Sequence, residues 1–287
     1  MDLSVVIVNF NTPQLLRLCL ASLEKCRGET EFEVVVVNTT PTDGSKEILE
    51  KEFPWVKQLV RENRGFSANN NQAISETTGK YVLFLNSDTT VPQGTLSALV
   101  KFMEDHSEVG VVTPYVEIAS TGQFDPDTSR RTPTPWSAFW QLFAKVGIGG
   151  YHQKVDFSKP SEIEATSGAA MLVRRTAADQ IGWWDERFFF YGEDLDWGFR
   201  FRQAGWKIVL YPQVKIIHHK GASSGLKKES SAVTTASKET RRKMAAASTQ
   251  AMRLFYQKHY AAKYPSIFNR LIYFSIWLLE KIRLVKS

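Results

Sequence analysis

Carboxylate and amide side chains follow directly on apolar segments of this sequence, where they can act on a bound ligand. Asp88 closes the segment 85–88 (LNSD), which ends a run of apolar residues. A carboxylate at that place is a good ligand for a hard divalent cation that holds a diphosphate. The alternative interpretation is a turn or helix-capping Asp ahead of Pro92, and Asp88 alone does not separate the two.

A second group of acids, Glu193, Asp194 and Asp196, opens a predicted helix directly after an aromatic stretch. The positive end of the helix dipole keeps such carboxylates ionised. An ionised Asp in an aromatic-walled cleft can accept the proton of an attacking hydroxyl, and capping of the helix without chemistry is the alternative. His218 follows a predicted strand and could bind a metal or contact a phosphate. A structural role is commoner for such a His, and His219 beside it leaves the register open.

The elements that must position these residues alternate between strand and helix patterns in the first half. Apolar, β-branched segments predict strands at 3–9, 32–38, 56–60, 81–86 and 109–113. Continuous apolar strands separated by helices predict an α/β fold, with a Rossmann-like, mostly parallel central sheet covered by helices on both faces. In such sheets ligands bind at the carboxyl ends of the strands, which selects residues 9–11, 38–43, 63–65 and 86–88.

The second half is predicted to return to the sheet after a long excursion. Residues 122–165 are rich in Pro, Gly and polar residues, which is more typical of a lid than of a domain linker. Strands are predicted at 167–173, 206–210 and 214–217, and a helix at 193–204.

Composition and charge exclude several functional classes. A chain of 287 residues with 43% hydrophobic and 23% charged content can bury a full core and is neither disordered nor repetitive. The net charge of +6 is confined to residues 253–287, where seven Lys or Arg accompany one acid. A body-wide nucleic-acid surface is therefore not supported, and no nucleic-acid partner is expected. The Gly-x-x-x-x-Gly-Lys phosphate loop is absent, and no Gly-x-Gly-x-x-Gly fingerprint follows the first strand.

The sequence also indicates the compartment. No segment reaches the roughly 17–25 apolar residues of a membrane-spanning helix, and the start lacks the features of a signal peptide. Cys19 and Cys26 lie seven residues apart in one helical pattern, a poor geometry for a mutual disulfide and an inadequate set for a metal. A reduced, cytoplasmic protein is the resulting expectation.

Taken together, these segments resemble family 2 glycosyltransferases of the GT-A fold, in the order that the family shows. The matching segments are 4–11 (SVVIVNFN), 35–45 (VVVNTTPTDGS), 62–71 (ENRGFSANNN), 85–88 (LNSD), 182–200 (GWWDERFFFYGEDLDWGFR) and 218–223 (HHKGAS). In the same order, they are similar to the family's opening strand, its two nucleotide-binding segments, its metal motif, its block with the acceptor-side Glu-Asp pair, and its terminal His. Within the family, the chain is similar to bacterial rhamnosyltransferases of surface polysaccharide synthesis.

The resemblance implies an inverting, single-displacement transfer of a sugar, with rhamnose favoured, from a dTDP- or UDP-sugar to a hydroxyl of a saccharide acceptor linked to a polyprenyl diphosphate. Asp194 would deprotonate that hydroxyl, and a divalent cation, Mg²⁺ or Mn²⁺, would be held by Asp88 and His218. The implied nucleotide-sugar residues are Phe10, Asn38, Asp43, Arg64, Asn86 and Asp88. The implied acceptor residues are Trp183, Trp184, Tyr191 and Glu193, with ordinary packing as the alternative for the aromatic ones.

Two departures from the family pattern affect these expectations. Asn38 stands where the family usually has an Asp that accepts a hydrogen bond from the base, and Asn86-Ser87-Asp88 has only one carboxylate in the metal motif. Two rival functions follow: a nucleotidyltransferase that makes the sugar nucleotide, and a non-catalytic scaffold that binds it. The Gly-rich early loop typical of the first is absent from residues 9–14 (NFNTPQ), and the intact Glu-Asp pair argues against the second.

The end of the chain is predicted to be a separate extension. We predict a GT-A catalytic domain at 1–220 and an extension at 221–287, with a mobile segment to about 250 and a basic amphipathic helix. Residues 264–285 combine apolar, aromatic and cationic side chains at helical spacing, as suits a helix lying in an anionic membrane surface. The protein is thus expected at the inner face of the cell membrane. Packing of this helix on the catalytic domain, or on a second subunit in a homodimer, is the alternative.

Overall fold

A mixed β-sheet of nine strands forms the centre of the computed structural model, which describes residues 1–135, 151–219 and 238–286. The strands are β1 (Leu3–Asn9), β2 (Phe32–Asn38), β3 (Lys57–Val60), β4 (Tyr81–Asn86), β5 (Thr89–Thr90), β6 (Val109–Ile118), β7 (Ser161–Glu162), β8 (Ala170–Arg174) and β9 (Lys207–His218). The helices are α1 (Pro13–Lys25), α2 (Ser45–Glu52), α3 (Phe66–Ile74), α4 (Thr95–Asp105), α5 (Arg175–Ile181), α6 (Glu193–Gln203), α7 (Lys238–His259) and α8 (Ser266–Lys286).

The strand order is β3-β2-β1-β4-β8-β6-β9-β5, with β7 beside β9. Strands β1 to β4 pair in parallel, whereas β8 runs antiparallel to both β4 and β6. The predicted α/β fold with a mostly parallel sheet is confirmed.

Two hydrophobic cores lie on opposite faces of this sheet. Successive side chains of a strand point to opposite faces. Accordingly, Val5 and Ile7 belong to one core and Val6 to the other, and Leu83 and Phe84 of β4 divide in the same way. Both faces of the parallel strands are therefore covered, which explains why their sequences are continuously apolar rather than alternating.

The last long strand differs from the sequence prediction. β9 is one strand from Lys207 to His218, where a break was predicted around Pro212. Its partner β6 also extends beyond the predicted end at 113, to Ile118. The pairing of the two strands shifts register between Pro114 and Tyr115, so a bulge accommodates Pro212, which cannot donate a backbone hydrogen bond. The extra length carries His218 to the carboxyl ends of the central strands.

The C-terminal hairpin of α7 and α8 is attached to the main body. Asp196 of α6 is fully buried, and its carboxylate contacts Lys258 Nζ at 2.8 Å and His259 Nε2 at 2.7 Å. Phe255 of α7 packs with Phe188 in a small apolar cluster. Residues 238–250 of the segment predicted to be partly mobile are helical, while 220–237 and the predicted domain boundary lie outside the described residues.

Candidate active site

The carboxyl ends of β1 and β2 place two buried amides side by side. Asn9 and Asn38 are in register, and Asn9 Nδ2 donates a hydrogen bond to Asn38 Oδ1 at 3.3 Å. Ser45 Oγ donates to the same oxygen at 3.0 Å. The resemblance implies a contact between Asn38 and the nucleotide base, but the side chain is fully buried and its oxygen already has these protein donors. In this structure Asn38 holds the loop after β2 in place, and its contact with the base stays a prediction.

Asp43 closes that loop. Its carboxylate accepts hydrogen bonds from the Ser45 backbone N–H at 2.9 Å and from Thr40 Oγ1 at 3.0 Å. The Asn11 backbone N–H donates to Thr40 Oγ1 at 2.7 Å, which ties the loop to the turn that carries Phe10. Phe10 is 44% exposed, so its ring offers a flat apolar face beside the loop.

A second loop presents Arg64. Asn63 Oδ1 accepts hydrogen bonds from the Gly65 backbone N–H at 3.1 Å and from Asn69 Nδ2 at 3.2 Å, which fixes the backbone. The Arg64 side chain is 61% exposed, and its guanidinium lies 3.7 Å from Glu186. Such an exposed guanidinium is free to turn toward phosphate oxygens, whose geometry it matches.

Gly65 joins this loop to the aromatic segment before α6. Its φ is +94°, and a Cβ there would lie 2.5 Å from the Phe189 carbonyl oxygen. The Phe66 backbone N–H donates to that oxygen at 2.9 Å. Only a glycine fits this approach, and it places segments 62–66 and 188–191 against each other.

Asp88 and His218 form a buried pair where β5 meets the end of β9. His218 Nε2 lies 3.2 Å from Asp88 Oδ1, and Nδ1 lies 3.6 Å from Asp125 Oδ2. Burial opposes the charged imidazolium, but the two carboxylates outweigh it and raise the pKa of His218 to about 9. His219 meets Asp88 through its backbone N–H instead, at 2.8 Å from the Asp88 carbonyl oxygen. The side chain facing Asp88 is therefore that of His218.

This pair fits a divalent cation. Two ligands on neighbouring corners of an octahedral Mg²⁺ lie about 3 Å apart, because each metal–oxygen bond measures about 2.0–2.1 Å. The 3.2 Å between His218 Nε2 and Asp88 Oδ1 meets that requirement. Within the described ranges, no group of three His, Cys, Asp or Glu could enclose a metal by itself. Asn86, half-buried at the end of β4, lies two residues before Asp88.

Asp194, at the start of α6, is ion-paired with Arg130. Both side chains are nearly buried, and Arg130 also donates to the Thr166 carbonyl oxygen at 3.0 Å and to Tyr151 Oη at 2.9 Å. Burial works against the charge of Arg130, but the Asp194 carboxylate holds its pKa above the ordinary value. The pair fixes the orientation of the Asp194 carboxylate at the helix start through the guanidinium.

The segment around Arg130 also connects Asp194 to the proposed metal pair. Asp125 is near His218, and Arg130 contacts Asp194. These two residues are five apart, so their Cα atoms lie within about 18 Å of each other. Segment 125–130 therefore contacts both the Asp194 carboxylate and the His218 ring.

Glu193 differs from its neighbour in protonation. Burial, with the nearby Asp194 charge, raises the pKa of Glu193 to about 8. At neutral pH most of this carboxyl is protonated, so that it can donate a hydrogen bond while Asp194 accepts one. The Glu-Asp pair therefore offers a donor and an acceptor side by side.

The aromatic residues before α6 divide between core and surface. Trp184 is 3% exposed and packs edge-on against Phe84, 5.2 Å between ring centroids, so it has no surface for an acceptor. Trp183 packs against the same core and donates from Nε1 to Asp179 at 2.9 Å. The expected acceptor wall is wrong for the buried Trp184, whereas Trp183 is half-buried and its acceptor role stays a prediction. Tyr191 does face outward, at 39% exposure and a positive φ of 73°.

A cavity of about 400 Å³ opens beside Asp194, between α6 and the C-terminal hairpin. Tyr191, Glu193 and Asp194 line one end of it, and α7 and α8 supply the opposite wall. The expected acceptor residues other than the two Trp are thus brought together around one space.

The profile of Glycosyl transferase family 2 matches residues 4–182, which is more than half of the chain. The chain belongs to this family. This glycosyltransferase is 28% identical over 250 residues to the N-acetylglucosaminyl-diphospho-decaprenol L-rhamnosyltransferase of Mycobacterium tuberculosis, a match that covers 78% of each chain. The resemblance inferred from the sequence motifs is confirmed.

Solved structures show the same fold. The glycosyltransferase superposes with a TM-score of 0.58 on the mannosyltransferase PcManGT of Pyrobaculum calidifontis in complex with GDP-Man and Mn²⁺, at 16% identity, covering 99% of this chain and 72% of that one. It superposes with a TM-score of 0.57 on TarS 1–349 of S. aureus in complex with UDP-GlcNAc, at 18% identity, covering 97% and 72%. The GT-A fold is therefore established.

Sequence reasoning missed two residues of this site. Arg130 lies in the excursion of residues 122–165, where the pair Arg130-Arg131 matches no motif, and Asp125 lies five residues before it. Their partners are between 64 and 93 residues away, so only the tertiary fold brings them to Asp194 and His218. The excursion was treated as a lid, and Trp136 and Trp140 within it lie outside the described residues.

Proposed function

We propose that this glycosyltransferase transfers rhamnose, with inversion, from a dTDP- or UDP-sugar to a hydroxyl of a saccharide linked to a polyprenyl diphosphate, in bacterial cell-surface polysaccharide synthesis. The observation that carries the proposal is the nearly buried Asp194 carboxylate beside an open cavity. The choice of rhamnose and of a lipid-linked acceptor is supported by the name of the mycobacterial relative, which aligns over 78% of both chains.

The proposed roles follow the positions of the side chains. Asp194 accepts the proton of the acceptor hydroxyl, and Glu193 donates a hydrogen bond to the acceptor. Phe10, Asp43 and Arg64 form the nucleotide face, with Arg64 on the phosphates. Asp88 and His218 would hold a divalent cation, which when bound neutralises the charge of the leaving diphosphate.

Product analysis tests this function. The purified chain is incubated with UDP-, dTDP- and GDP-sugars, Mn²⁺ or Mg²⁺, and a GlcNAc-diphosphoprenol acceptor. We expect transfer from dTDP-rhamnose, with an inverted anomeric configuration by NMR. Formation of a sugar nucleotide from a sugar phosphate and a nucleoside triphosphate would instead identify a nucleotidyltransferase, and binding without turnover would identify a scaffold.

We further propose that α8 rests on an anionic membrane surface. One face of this helix carries an outer stripe of exposed apolar side chains, namely Ile267, Leu271, Phe274, Leu278 and Ile282. Their spacing of three and four residues makes a continuous face, and Arg270 and Lys281 are exposed on the same helix. No helix in the described part of the chain is long and apolar enough to cross a bilayer. A lipid-linked acceptor gives such a surface contact a purpose.

Leu271→Glu should weaken vesicle binding about tenfold or more, because it removes an apolar contact from the outer stripe and adds a charge that anionic lipid repels. Co-sedimentation with anionic vesicles measures the effect. Leu18→Glu is the matched control, since Leu18 is 53% exposed on α1 and Leu271 is 60% exposed. Equal recovery of both variants with the vesicles would exclude the outer stripe as the membrane contact. A dimer in sedimentation experiments, in which a second subunit covers the outer stripe, would also exclude it.

A further inference from the structure

The cavity beside Asp194 has a wall that the transfer reaction itself does not require. Its volume of about 400 Å³ is within the range of ligand pockets. Met252 and Phe255 of α7 and Ile272 and Ile276 of α8 line it, on other helices than the one that carries Asp194. A saccharide hydroxyl needs polar partners, whereas these four side chains offer only apolar surface. The wall is therefore suited to an apolar part of a ligand whose reactive end lies at Asp194.

A cation lies in this wall. Arg283 of α8 lines the cavity, and its Nη1 donates to Ser248 Oγ at 2.7 Å. Burial lowers the pKa of Arg283, and among the side chains that the structure describes no carboxylate pairs with its guanidinium. A partly desolvated cation beside a neutral hydroxyl is costly unless an anion joins it. The cavity thus has a cation suited to an anionic group of a ligand, as well as an apolar wall.

Helix α8 presents apolar residues on two sides. Ile272 and Ile276 face the cavity, while Leu271 and Phe274 belong to the outer stripe. A hydrocarbon chain that leaves the cavity past α8 therefore meets the face that is proposed to rest on the membrane. This arrangement suits a ligand with one end in the bilayer and the other at Asp194.

We propose that this cavity binds the prenyl diphosphate portion of the acceptor, with the first isoprenoid units against α7 and α8 and the diphosphate on Arg283. The inference rests on the proposed function and adds the subsite that selects a lipid-linked acceptor. The apolar side chains of Met252, Phe255, Ile272 and Ile276 favour an isoprenoid chain over a base and ribose, because they offer no partner to polar groups. The specificity for the lipid thus comes from the C-terminal hairpin, outside the segment matched by the family profile.

Direct binding tests the subsite without any sugar donor. Isothermal titration of the full chain with farnesyl diphosphate should show binding, whereas inorganic diphosphate or farnesol alone should bind at least about tenfold more weakly, because each satisfies only half of the site. Arg283→Gln should weaken farnesyl diphosphate binding roughly tenfold or more, since it removes a charge-assisted contact. Arg253→Gln is the matched control, as Arg253 belongs to the same hairpin but pairs with Glu280 and does not line the cavity.

Ser275→Phe provides a second variant, because Ser275 lines the cavity from α8 and a larger side chain there fills it. In transfer assays, both Arg283→Gln and Ser275→Phe should raise KM for a prenyl-linked acceptor while leaving KM for the donor unchanged. Equal binding of farnesyl diphosphate by Arg283→Gln and Arg253→Gln would overturn the subsite, as would equal competition by an unrelated fatty acid. If farnesyl diphosphate binds as expected and no sugar is transferred, the proposed function fails while the subsite stands. If transfer to the lipid acceptor is unaffected by both variants, the subsite fails and the function stands.

Discussion

Replacing Asp194 with Asn is expected to lower the rate of sugar transfer by about 10²–10⁴-fold, the contribution of a positioned general base. The amide keeps the size of the side chain and can still accept a hydrogen bond from Arg130, but it cannot take the proton of the acceptor hydroxyl. Donor binding should stay unchanged, because the nucleotide face around Phe10 and Asp43 is formed by other segments. Steady-state kinetics and titration with the nucleoside diphosphate measure the two effects separately.

The neighbouring acids serve as controls for this prediction. Asp196 is fully buried and bound to Lys258, His259 and Arg200, so Asp196→Asn should act on the free energy of unfolding, by about 3–5 kcal/mol, rather than on kcat of the folded protein. Glu193→Gln should keep much of kcat, because the Glu193 carboxyl is largely protonated at neutral pH and an amide also donates. Transfer above a tenth of the original rate in Asp194→Asn, together with loss of transfer in Glu193→Gln, would reassign the base to Glu193.

The sheet could be predicted because its signal is local. Continuous apolar segments such as 3–9 and 32–38 follow from burial on both faces, and the residues at their carboxyl ends follow from the rule for parallel sheets. The rule selects Asp88 after a strand, and Asp194 is placed instead at the start of a predicted helix. The loop positions of Asp43 and Arg64 were predicted for the same reason.

The parts that were not predicted depend on contacts between distant segments. The side chains of Asp and Asn have the same shape, so the residue type at position 38 says little about its contacts. Whether the Asn38 side chain reaches the nucleotide depends on Ser45 and Asn9, which close over it. Trp184 in an aromatic run looks the same whether it packs on Phe84 or faces a ligand. The role of Arg130 could not be predicted from the sequence, because it depends on a contact with Asp194, which is 64 residues away.

The C-terminal hairpin illustrates the same limit for amphipathic helices. Residues 264–285 predict one apolar face, and the structure has apolar residues on two sides of α8, one packed on α7 through Ile272 and one exposed through Leu271. The membrane-contact prediction and the packing alternative are therefore compatible, because they concern different faces. A helical periodicity locates the apolar residues but does not say which neighbour covers each one.

Asp88→Ala is expected to weaken metal-dependent donor binding by at least about 10–100-fold. Substitution of residues that only hydrogen-bond to the ligands of a metal site already has an effect of this size. It removes the one carboxylate of the metal motif and the closer of the two acids measured against His218. Isothermal titration with dTDP or UDP, with and without Mn²⁺, measures the change. Asp105→Ala is the control, because Asp105 is exposed and paired with Lys101 on α4, so its removal should alter neither titration.

The pH dependence of the same titration gives an independent readout. His218 is protonated below its pKa of about 9, and a metal ion must displace that proton to bind Nε2. The Mn²⁺-dependent affinity for the nucleotide should therefore rise with pH from about 7 to 9, with release of a proton. Asp125→Asn should shift this rise to lower pH, because it removes a carboxylate that favours the imidazolium, while weakening the orientation of the ring. Nucleotide affinity that is the same with and without metal, in both the original chain and Asp88→Ala, would show that Asp88 and His218 form a structural ion pair and hold no cation.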